Sequence, residues 1–438
     1  MTNGDGDDTG ILLRDVDLGD LSHLAQDLDE QLVWRRNAPL LYDLYGQCDL
    51  EWPGQTVAWL ADVEGELTKL ALGTRTNETE PSKVYVLELT CAVQNCANDS
   101  PWTSWTVEQV GIMNGFGLKP IQGDAPLRLA AEMTIESDVN RIAACPSQAS
   151  MIAVKGSCGS VWLCDLKKPD QPIECKLGEH QRPIEGFALA WSHGQGEFLA
   201  SGGNDGWLHT WDVSKACPSK PLWSTLAHSG ALNDACYSPH GHQFATVGDD
   251  NIVALWDHRS QAKTLSFRTS AEPLSVDWNP HDPHLLLTGL KDGLVHIWDL
   301  RHVGPHAPMK SLKGHEDEVL QVRWCPRGDG DMGGTPRKHL LGSASGDSKV
   351  IVWNLASSTR VEEEDTDPEA LFVHSGHQGG VNDFGWGFLD DFLFCSVGED
   401  HLLQLWQPGA NIVEEDTEDG LEETPAKRPR TAETLGES

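Results

Sequence analysis

The sequence predicts an all-β fold, a seven-bladed β-propeller with an N-terminal α-helix packed on its side. The first observation is a recurring unit in which small residues lead into an Asp turn and then a strand ending in Trp-Asp or a variant. It runs from Ser201 through Asp205 to Trp211-Asp212, from Val247 through Asp250 to Trp256-Asp257, and from Thr288 through Asp292 to Trp298-Asp299. It returns from Ser345 through Asp347 to Trp353-Asn354, and from Val397 through Asp400 to Trp406-Gln407. In all five the Asp precedes the Trp by six residues. The second observation is the period. Trp-equivalent positions fall at Leu87, Cys164, Trp211, Trp256, Trp298, Trp353 and Trp406, at intervals of 42–55 residues after a first gap of 77. A repeat of about 40–45 residues with Trp-Asp endings marks propeller blades of four strands. The third is local chemistry. Trp207-Leu-His-Thr-Trp211 alternates with period two, and Asn204-Asp-Gly206 and Lys291-Asp-Gly293 are hairpin turns.

Two degenerate copies complete the ring. Ile152 to Asp165 aligns with Cys164 in the Trp position, and Leu70-Ala-Leu-Gly73 with Val84-Tyr-Val-Leu87 reads as a first copy with an enlarged turn. Residues 91–130 form an insertion that accounts for the long first gap, with further insertions at about 327–338 and 358–370. The propeller then spans 38–412 as one closed unit, although 438 residues would by length alone suggest about three domains. Before it, Leu21, Leu24, Leu28 and Leu32 make an apolar stripe on a helix over 20–37, capped by Asp20 and stopped by Pro39. A lone helix of this length is marginal in water, so it packs on the propeller.

Charge excludes several function classes. There are 32 Lys+Arg against 67 Asp+Glu, a net charge of -35. Such a field repels nucleic acid and anionic membrane and favours a basic partner. Nine carboxylates and one Arg in residues 1–30, six carboxylates in 361–369 and seven in 414–423 carry 21 of those net charges. The termini, 1–19 and 413–438, are expected to be disordered, and 361–369 to be an inserted acidic loop. Lys427-Arg-Pro-Arg430 follows the acidic tail and reads as a nuclear import signal. No apolar run reaches the 18 or so residues of a membrane span, and the acidic first thirty residues do not form a secretory signal. Eleven scattered cysteines without C-x-x-C spacing imply reduced thiols and no zinc site. Gly328 to Gly334 lacks the Gly-Lys-Ser/Thr of a phosphate loop. No nucleophile–base pair stands outside the repeats, so neither an enzyme nor a cofactor is expected.

Glu179-His180, Ala227-His228, Gly314-His315 and Gly376-His377 introduce blades. In the WD-repeat propellers that this chain resembles, such a His joins the Asp, Ser/Thr and Trp of each unit in a structural hydrogen-bond network. Recurrence in blade after blade favours that role over catalysis.

Leu32-Val-Trp-Arg-Arg-Asn-Ala-Pro-Leu-Leu-Tyr-Asp43, Leu50-Glu-Trp-Pro53, Leu371 to Gln378 and Asn382-Asp-Phe-Gly-Trp386 closely resemble one family, the retinoblastoma-binding, chromatin-assembly-factor small-subunit WD-repeat histone chaperones. The similarity covers about residues 20–412. It implies a side groove for the first helix of histone four. Leu28, Leu32 and Phe372 would be its apolar contacts, and Glu362, Glu363, Glu364, Asp365 and Asp367 its charged wall. Asp367-Pro368 replaces the family's double proline. The resemblance also implies a site on the propeller face for the histone-three tail, with Asp138, Asn140 and Glu185 holding a basic side chain and Phe187 stacking in place of Tyr. Asn233, Leu274 and Leu320 depart from the family's acidic residue, Asn and Phe, which weakens or redirects that site.

Trp256-Asp-His-Arg259 and Trp298-Asp-Leu-Arg301 match the Trp-Asp-x-Arg pattern of cullin-ligase substrate receptors, which adds a ligase adaptor to the partners to be tested. The expected function is a histone-binding scaffold or chaperone subunit of nuclear chromatin assembly, remodelling or modifying complexes, with histones three and four and other complex subunits as partners and room for a cytoplasmic pool. The alternatives are a ribosome-assembly chaperone of the glutamate-rich type or a substrate receptor of a cullin-type ubiquitin ligase.

Overall fold

The computed structural model describes residues 33–38, 40–60, 68–77, 79–89, 127–168, 171–177, 184–194, 198–214, 217–303, 308–326, 337–356, 367–387 and 392–413. They form seven antiparallel sheets of four strands each. Blade one is Gly54–Leu60, Thr68–Thr74, Ser82–Leu89 and Leu127–Ile135, counted from the axis outward. Blade two is Val139–Ala144, Met151–Gly156, Val161–Asp165 and Ile173–Leu177. Blade three is Leu189–Trp191, Phe198–Gly202, Trp207–Asp212 and Trp223–Leu226, and blade four is Leu232–Tyr237, Gln243–Gly248, Ile252–Asp257 and Ala262–Arg268. Blade five is Pro273–Trp278, Leu285–Leu290, Val295–Asp299 and Lys310–Leu312, and blade six is Val319–Trp324, Leu340–Ser345, Val350–Asn354 and Ala370–His374. The innermost strands touch in cyclic order, from blade one to seven and back to one.

Blade seven closes the ring with a strand from the other end of the chain. Its Val381–Trp386, Phe394–Gly398 and Leu402–Pro408 are completed on the outside by Tyr42–Asp49, which pairs Tyr45 with Trp406 and Cys48 with Leu403. The fourth strand of this last blade therefore precedes blade one in sequence. Closure ties the two ends of the propeller together.

Because each sheet buries both faces against its neighbours, the core lies in the seams. The hydrophobic clusters follow this rule one by one. Val57, Trp59 and Leu87 meet Val397 and Leu405 between blades one and seven, and Val84 and Val86 meet Ile142 and Trp162 between one and two. Trp256, at the end of the third strand of blade four, packs with Ala188, Leu208 and Trp223 of blade three, and Trp298 of blade five packs with Val253 and Phe267 of blade four. Trp211, Trp298, Trp353 and Trp406 are 1%, 1%, 0% and 0% exposed. These indoles are core, as the repeat pattern implies.

Four features differ from the sequence expectation. The first insertion ends earlier than 130, because Leu127–Ile135 is the outer strand of blade one. Helical residues extend past the expected end at 37: residues 33–38 are helical and so are 40–41, before Tyr42 pairs with Pro408, while Pro39 itself lies outside the described residues. The propeller begins at Tyr42 and ends in a four-residue helical turn, Ala410–Val413, whose Val413 packs on the blade-six and blade-seven core. The cysteines are not all reduced. Cys175, on the outer strand of blade two, is joined by a disulfide to Cys217, in the connection after the third strand of blade three, with Cα atoms 5.5 Å apart. Their separation of 42 residues hides this in the sequence; adjacent blades bring them together. Residues 20–32 of the expected helix and both charged termini lie outside the described residues.

Candidate peptide-binding faces

One end of the propeller is built by a repeated backbone device. In six inner strands the pairing register skips one residue, a β-bulge that frees a side chain from the ladder. The skipped residues are Gln55, Asn140, Asn233, Leu274, Leu320 and Asn382. Phe187 lies two residues before the short inner strand of blade three, Leu189–Trp191, at the matching distance from its end. The structure thus gathers Asn140, Phe187, Asn233, Leu274 and Leu320 into one ring around the axis, here termed the upper face. Three of the ring positions also staple the seams. Asn140 Nδ2 donates to Gly186 O at 3.3 Å, Asn233 Nδ2 to Pro273 O at 3.0 Å and Asn382 Nδ2 to Gly54 O at 3.0 Å. Asn233 and Asn382 reach the first residue of the next blade's inner strand, and Asn140 the loop just before it.

Asp138, Asn140 and Glu185 do come together. Asn140 Nδ2 also donates to Glu185 Oε1 at 3.2 Å. Asp138 is 2% exposed, and its Oδ1 accepts from Thr76 N at 2.9 Å, Thr76 Oγ1 at 3.0 Å and Ser82 Oγ at 2.8 Å. The same device recurs where Asp234 Oδ2 accepts from Ser275 Oγ and Val276 N, and where Asp383 Oδ2 accepts from Thr56 Oγ1 and Val57 N. Asp138 is therefore first a bracket between blades. Two neighbours escape the sequence reading. Arg75 places Nε 3.8 Å from Asp138 Oδ2 and Nη2 3.9 Å from Glu185 Oε1. Asp249 Oδ1 lies 2.8 Å from Asn233 Nδ2, so a carboxylate stands beside the position where the family's acid is missing. Arg75 follows Gly73-Thr74 at the end of a strand, and Asp249 is the first Asp of the Gly-Asp-Asp turn. Position in a loop next to a repeat's turn is the signal that could find them.

The side of the propeller carries the second group. Of its expected residues, Leu28, Leu32, Glu362, Glu363, Glu364 and Asp365 lie outside the described residues. Phe372 is 6% exposed, with its ring 5.2 Å from Tyr42 and 6.0 Å from Trp406. It supports the wall from within, because alternation along Ala370–His374 turns it inward; the exposed apolar side chain of that strand is Val373. Trp34, from the helical segment, stacks edge-on against Tyr42 and Tyr45 and donates Nε1 to Tyr42 Oη at 3.1 Å. Tyr42 Oη lies 2.8 Å from His374 Nδ1, which fixes the helical segment to blade six. Asp367 Oδ2 accepts from Lys313 N at 3.0 Å, and Glu369 is paired with Lys310. Burial and the adjacent Glu369 raise the Asp367 carboxyl above its usual range. Asp367 thus anchors the base of the acidic loop to blade five.

Along the axis runs a cavity of about 460 Å³ lined by Arg141, Asp234, Asp277, Gln321 and Arg323 among aromatic residues. Arg141 Nη1 donates to Gln321 Oε1 at 2.7 Å, and Arg323 Nη2 to Asp383 Oδ1 at 3.0 Å. Burial pushes the Asp277 carboxyl up to about 7, opposed by the Trp324 amide it accepts and by Arg323. In the Trp-Asp-x-Arg motifs, Arg301 grips Asp299 through Nε at 2.9 Å and Nη2 at 2.8 Å, and Arg259 Nη2 lies 3.7 Å from Asp257. Both arginines are exposed.

The expected blade networks form in blades four, six and seven. His228 lies 2.9 Å from both Asp250 and Thr246, and Trp256 Nε1 donates to the same Thr246 hydroxyl at 2.9 Å. His315, Asp347, Ser343 and Trp353 repeat the set, as do His377, Asp400, Ser396 and Trp406. These groups are saturated by one another and hold the turns rather than a ligand. His180 lies outside the described residues.

Comparison with known proteins agrees with this architecture. Residues 29–92 match a profile described as histone-binding protein RBBP4 or a subunit of the CAF1 complex. Residues 219–257, 260–299, 306–354 and 369–407 match the WD domain, G-beta repeat. Each matched repeat spans the outer strand of one blade and the three inner strands of the next, so the sequence repeat itself stitches neighbouring blades. Histone acetyltransferase type B subunit 2 of Candida glabrata is 26% identical over 400 residues, covering 88% of this chain and 89% of that protein. With a histone-binding-family segment at its start, four WD repeats in its later blades and a relative alignable along most of both chains, this protein is similar over most of its length to the WD-repeat proteins of the RBBP4 and CAF1-subunit kind.

Proposed function

We propose that the chain is a histone-binding scaffold or chaperone subunit of nuclear complexes that assemble, remodel or modify chromatin, and that it performs no chemistry itself. The observation that carries this is the match over 29–92, a segment that supplies the helical turn at 33–38, the ring-closing strand Tyr42–Asp49 and the three inner strands of blade one rather than a generic repeat. That segment seats Trp34 and Tyr42 against His374 and Phe372, on the strand that follows the acidic loop. A basic amphipathic helix is the ligand such a place suits, through apolar contact below and carboxylates at the rim. Leu28, Leu32, Glu362, Glu363, Glu364, Asp365 and Asp367 are its proposed contacts, and histone four its proposed source. The upper face, with Asn140, Glu185 and Phe187, is the proposed site for a histone-three tail. The name of the relative, subunit 2 of a histone acetyltransferase, supports membership of a multi-subunit assembly.

Binding of purified histone three–four complex and of a histone-four helix peptide to the full chain tests the proposal. Replacing Glu362, Glu363, Glu364 and Asp365 by Lys should abolish peptide binding while leaving the thermal unfolding transition in place. The effect should be greatest at low salt, because exposed charges are screened over about 8–10 Å at physiological strength. Unchanged affinity at low salt would reject the side groove. Failure of the intact histone complex to bind, with a basic ribosomal protein bound instead, would favour the ribosome-assembly alternative.

A further inference from the structure

The upper face has an acidic corner, and the chain has put one of its own cations there. Arg75 belongs to the loop that leaves the second strand of blade one, while Asp138 and Glu185 precede the inner strands of blades two and three. Its backbone is pinned on both sides. Arg75 N donates to Pro53 O at 3.1 Å, and the next residue, Thr76, binds Asp138 Oδ1 through both its amide and its hydroxyl. The guanidinium therefore starts from a fixed point, and it sits 3.8 Å from one carboxylate and 3.9 Å from the other. Asp138 Oδ1 already accepts three hydrogen bonds and Glu185 Oε1 already accepts the Asn140 amide. A second cation entering the corner would meet two carboxylates that already share one positive charge, and would face Arg75 at close range. Like charges a few ångströms apart at a half-exposed site repel strongly enough to reverse a preference. Asn140 is 1% exposed, and its Oδ1 has no hydrogen-bond partner. That buried acceptor is what an incoming ammonium could use once Arg75 is gone.

We propose that Arg75 is a tethered counter-ion that closes the acidic corner formed by Asp138, Asn140 and Glu185, so that the upper face of this chain discriminates against a lysine or arginine side chain at that point. The proposal rests on the reading of the upper face as a peptide site. Arg75 is then a specificity-determining residue, and the loss of an acid at Asn233 and of an aromatic ring at Leu320 is a second, separate weakening of the same face.

Calorimetry on the full chain decides it, using a histone-three N-terminal peptide and a copy with every lysine and arginine changed to glutamine. The wild type should bind the two with similar affinity. Arg75→Ala should prefer the basic peptide by roughly tenfold or more, a difference of about 1.4 kcal/mol. Arg75→Lys should behave as the wild type, because it restores the charge. Arg75→Gln, which keeps length and an N–H, replaces the alanine variant if that one does not fold. A wild type that already prefers the basic peptide tenfold overturns the proposal. So does a preference that fails to rise in the neutral variants, or an absence of binding in all of them. Intact histone complex measured alongside separates the two levels: if it binds while the peptide preference stays fixed, Arg75 is misassigned and the broader reading stands.

Discussion

Blade seven and blade two share a four-stranded plan and fill it with opposite chemistry. In blade seven, His377 reaches Asp400 at 3.0 Å and Ser396 at 2.8 Å, and Trp406 donates to the same hydroxyl at 3.1 Å. The Asp400 carboxyl feels burial, but the His377 hydrogen bond and the Gln378 and Leu402 amides outweigh it and hold it below its usual range. In blade two the Trp position is Cys164, the Ser/Thr position, ten residues earlier, is Val154, and the Asp position, six residues before Cys164, is Cys158. Nothing there can form the network, yet the blade pairs in register from Met151 with Asp165 to Lys155 with Val161. The difference teaches that the network is a local staple, whereas burial in the seams and closure of the ring specify the propeller. Blade two keeps its seams: Ile152, Val154 and Cys164 pack on blade one, and Leu163 and Leu177 on blade three.

Trp406→Ala should break the comparison most. Its indole is fully buried, stacked 4.2 Å from His374 and 4.3 Å from Phe394, and its backbone pairs with Tyr45 of the ring-closing strand. Truncating a buried aromatic of this size costs about 3–5 kcal/mol, and here it also weakens the closure that every other blade relies on. Denaturant unfolding should show that loss, against roughly 1 kcal/mol for Cys164→Ala at the matching position of blade two. Equal losses would mean that the two blades carry equal structural weight.

His377→Ala is the next test. It leaves Asp400 and Ser396 buried without their shared partner, a cost of about 1–3 kcal/mol. Because Asp400 has a depressed carboxyl, its contribution to stability is present above the ordinary Asp range and lost as pH falls through the folded-state value. The wild-type advantage over His377→Ala should therefore shrink under acid conditions. An advantage that stays constant down to the pH of acid unfolding would remove Asp400 from the account.

The contrast between blades also marks what the chain discloses in one dimension. The Asp-to-Trp spacing locates five blades, and Cys164 falls in place because a residue count survives substitution when chemistry does not; Leu87 is placed by its alternating apolar strand alone. The ring-closing strand stays hidden, since nothing local in Tyr42–Asp49 announces that its partner is Leu402–Pro408 at the far end. Arg75, Asp138 and Glu185 are only partly legible for the same reason. Each sits on a loop of a different blade, and only the closed ring brings the cation to the two carboxylates. The disulfide between Cys175 and Cys217 is likewise a contact between adjacent blades. Resemblance supplies Asp138, Asn140, Glu185 and Phe187 as a group. The bulge position that Asn140 shares with the other ring residues, and that Phe187 matches, supplies the physical reason for the grouping.

Lys155→Met is the smallest effect and the sharpest use of the comparison, because it should stabilise. Lys155 is 0% exposed and its Nζ has no hydrogen-bond partner, at the position that the buried Val247 and Val397 fill in blades four and seven. Burial lowers it to about 8, with Asp205 and Cys158 opposing that shift. An uncompensated buried ammonium is expensive, and an apolar side chain of similar length removes the penalty without opening a cavity. The gain should be on the order of 1–2 kcal/mol at neutral pH. Its pH dependence is distinctive. Between about 8 and 10.5 the unfolded chain holds a proton on Lys155 that the folded chain has released, so wild-type stability rises with pH across that window. The margin of Lys155→Met should be full below pH 8 and vanish towards 10.5. A margin that does not change with pH would show that the variant gains through packing alone. A loss of stability would show that the ammonium is compensated after all, and that blade two has a staple of its own.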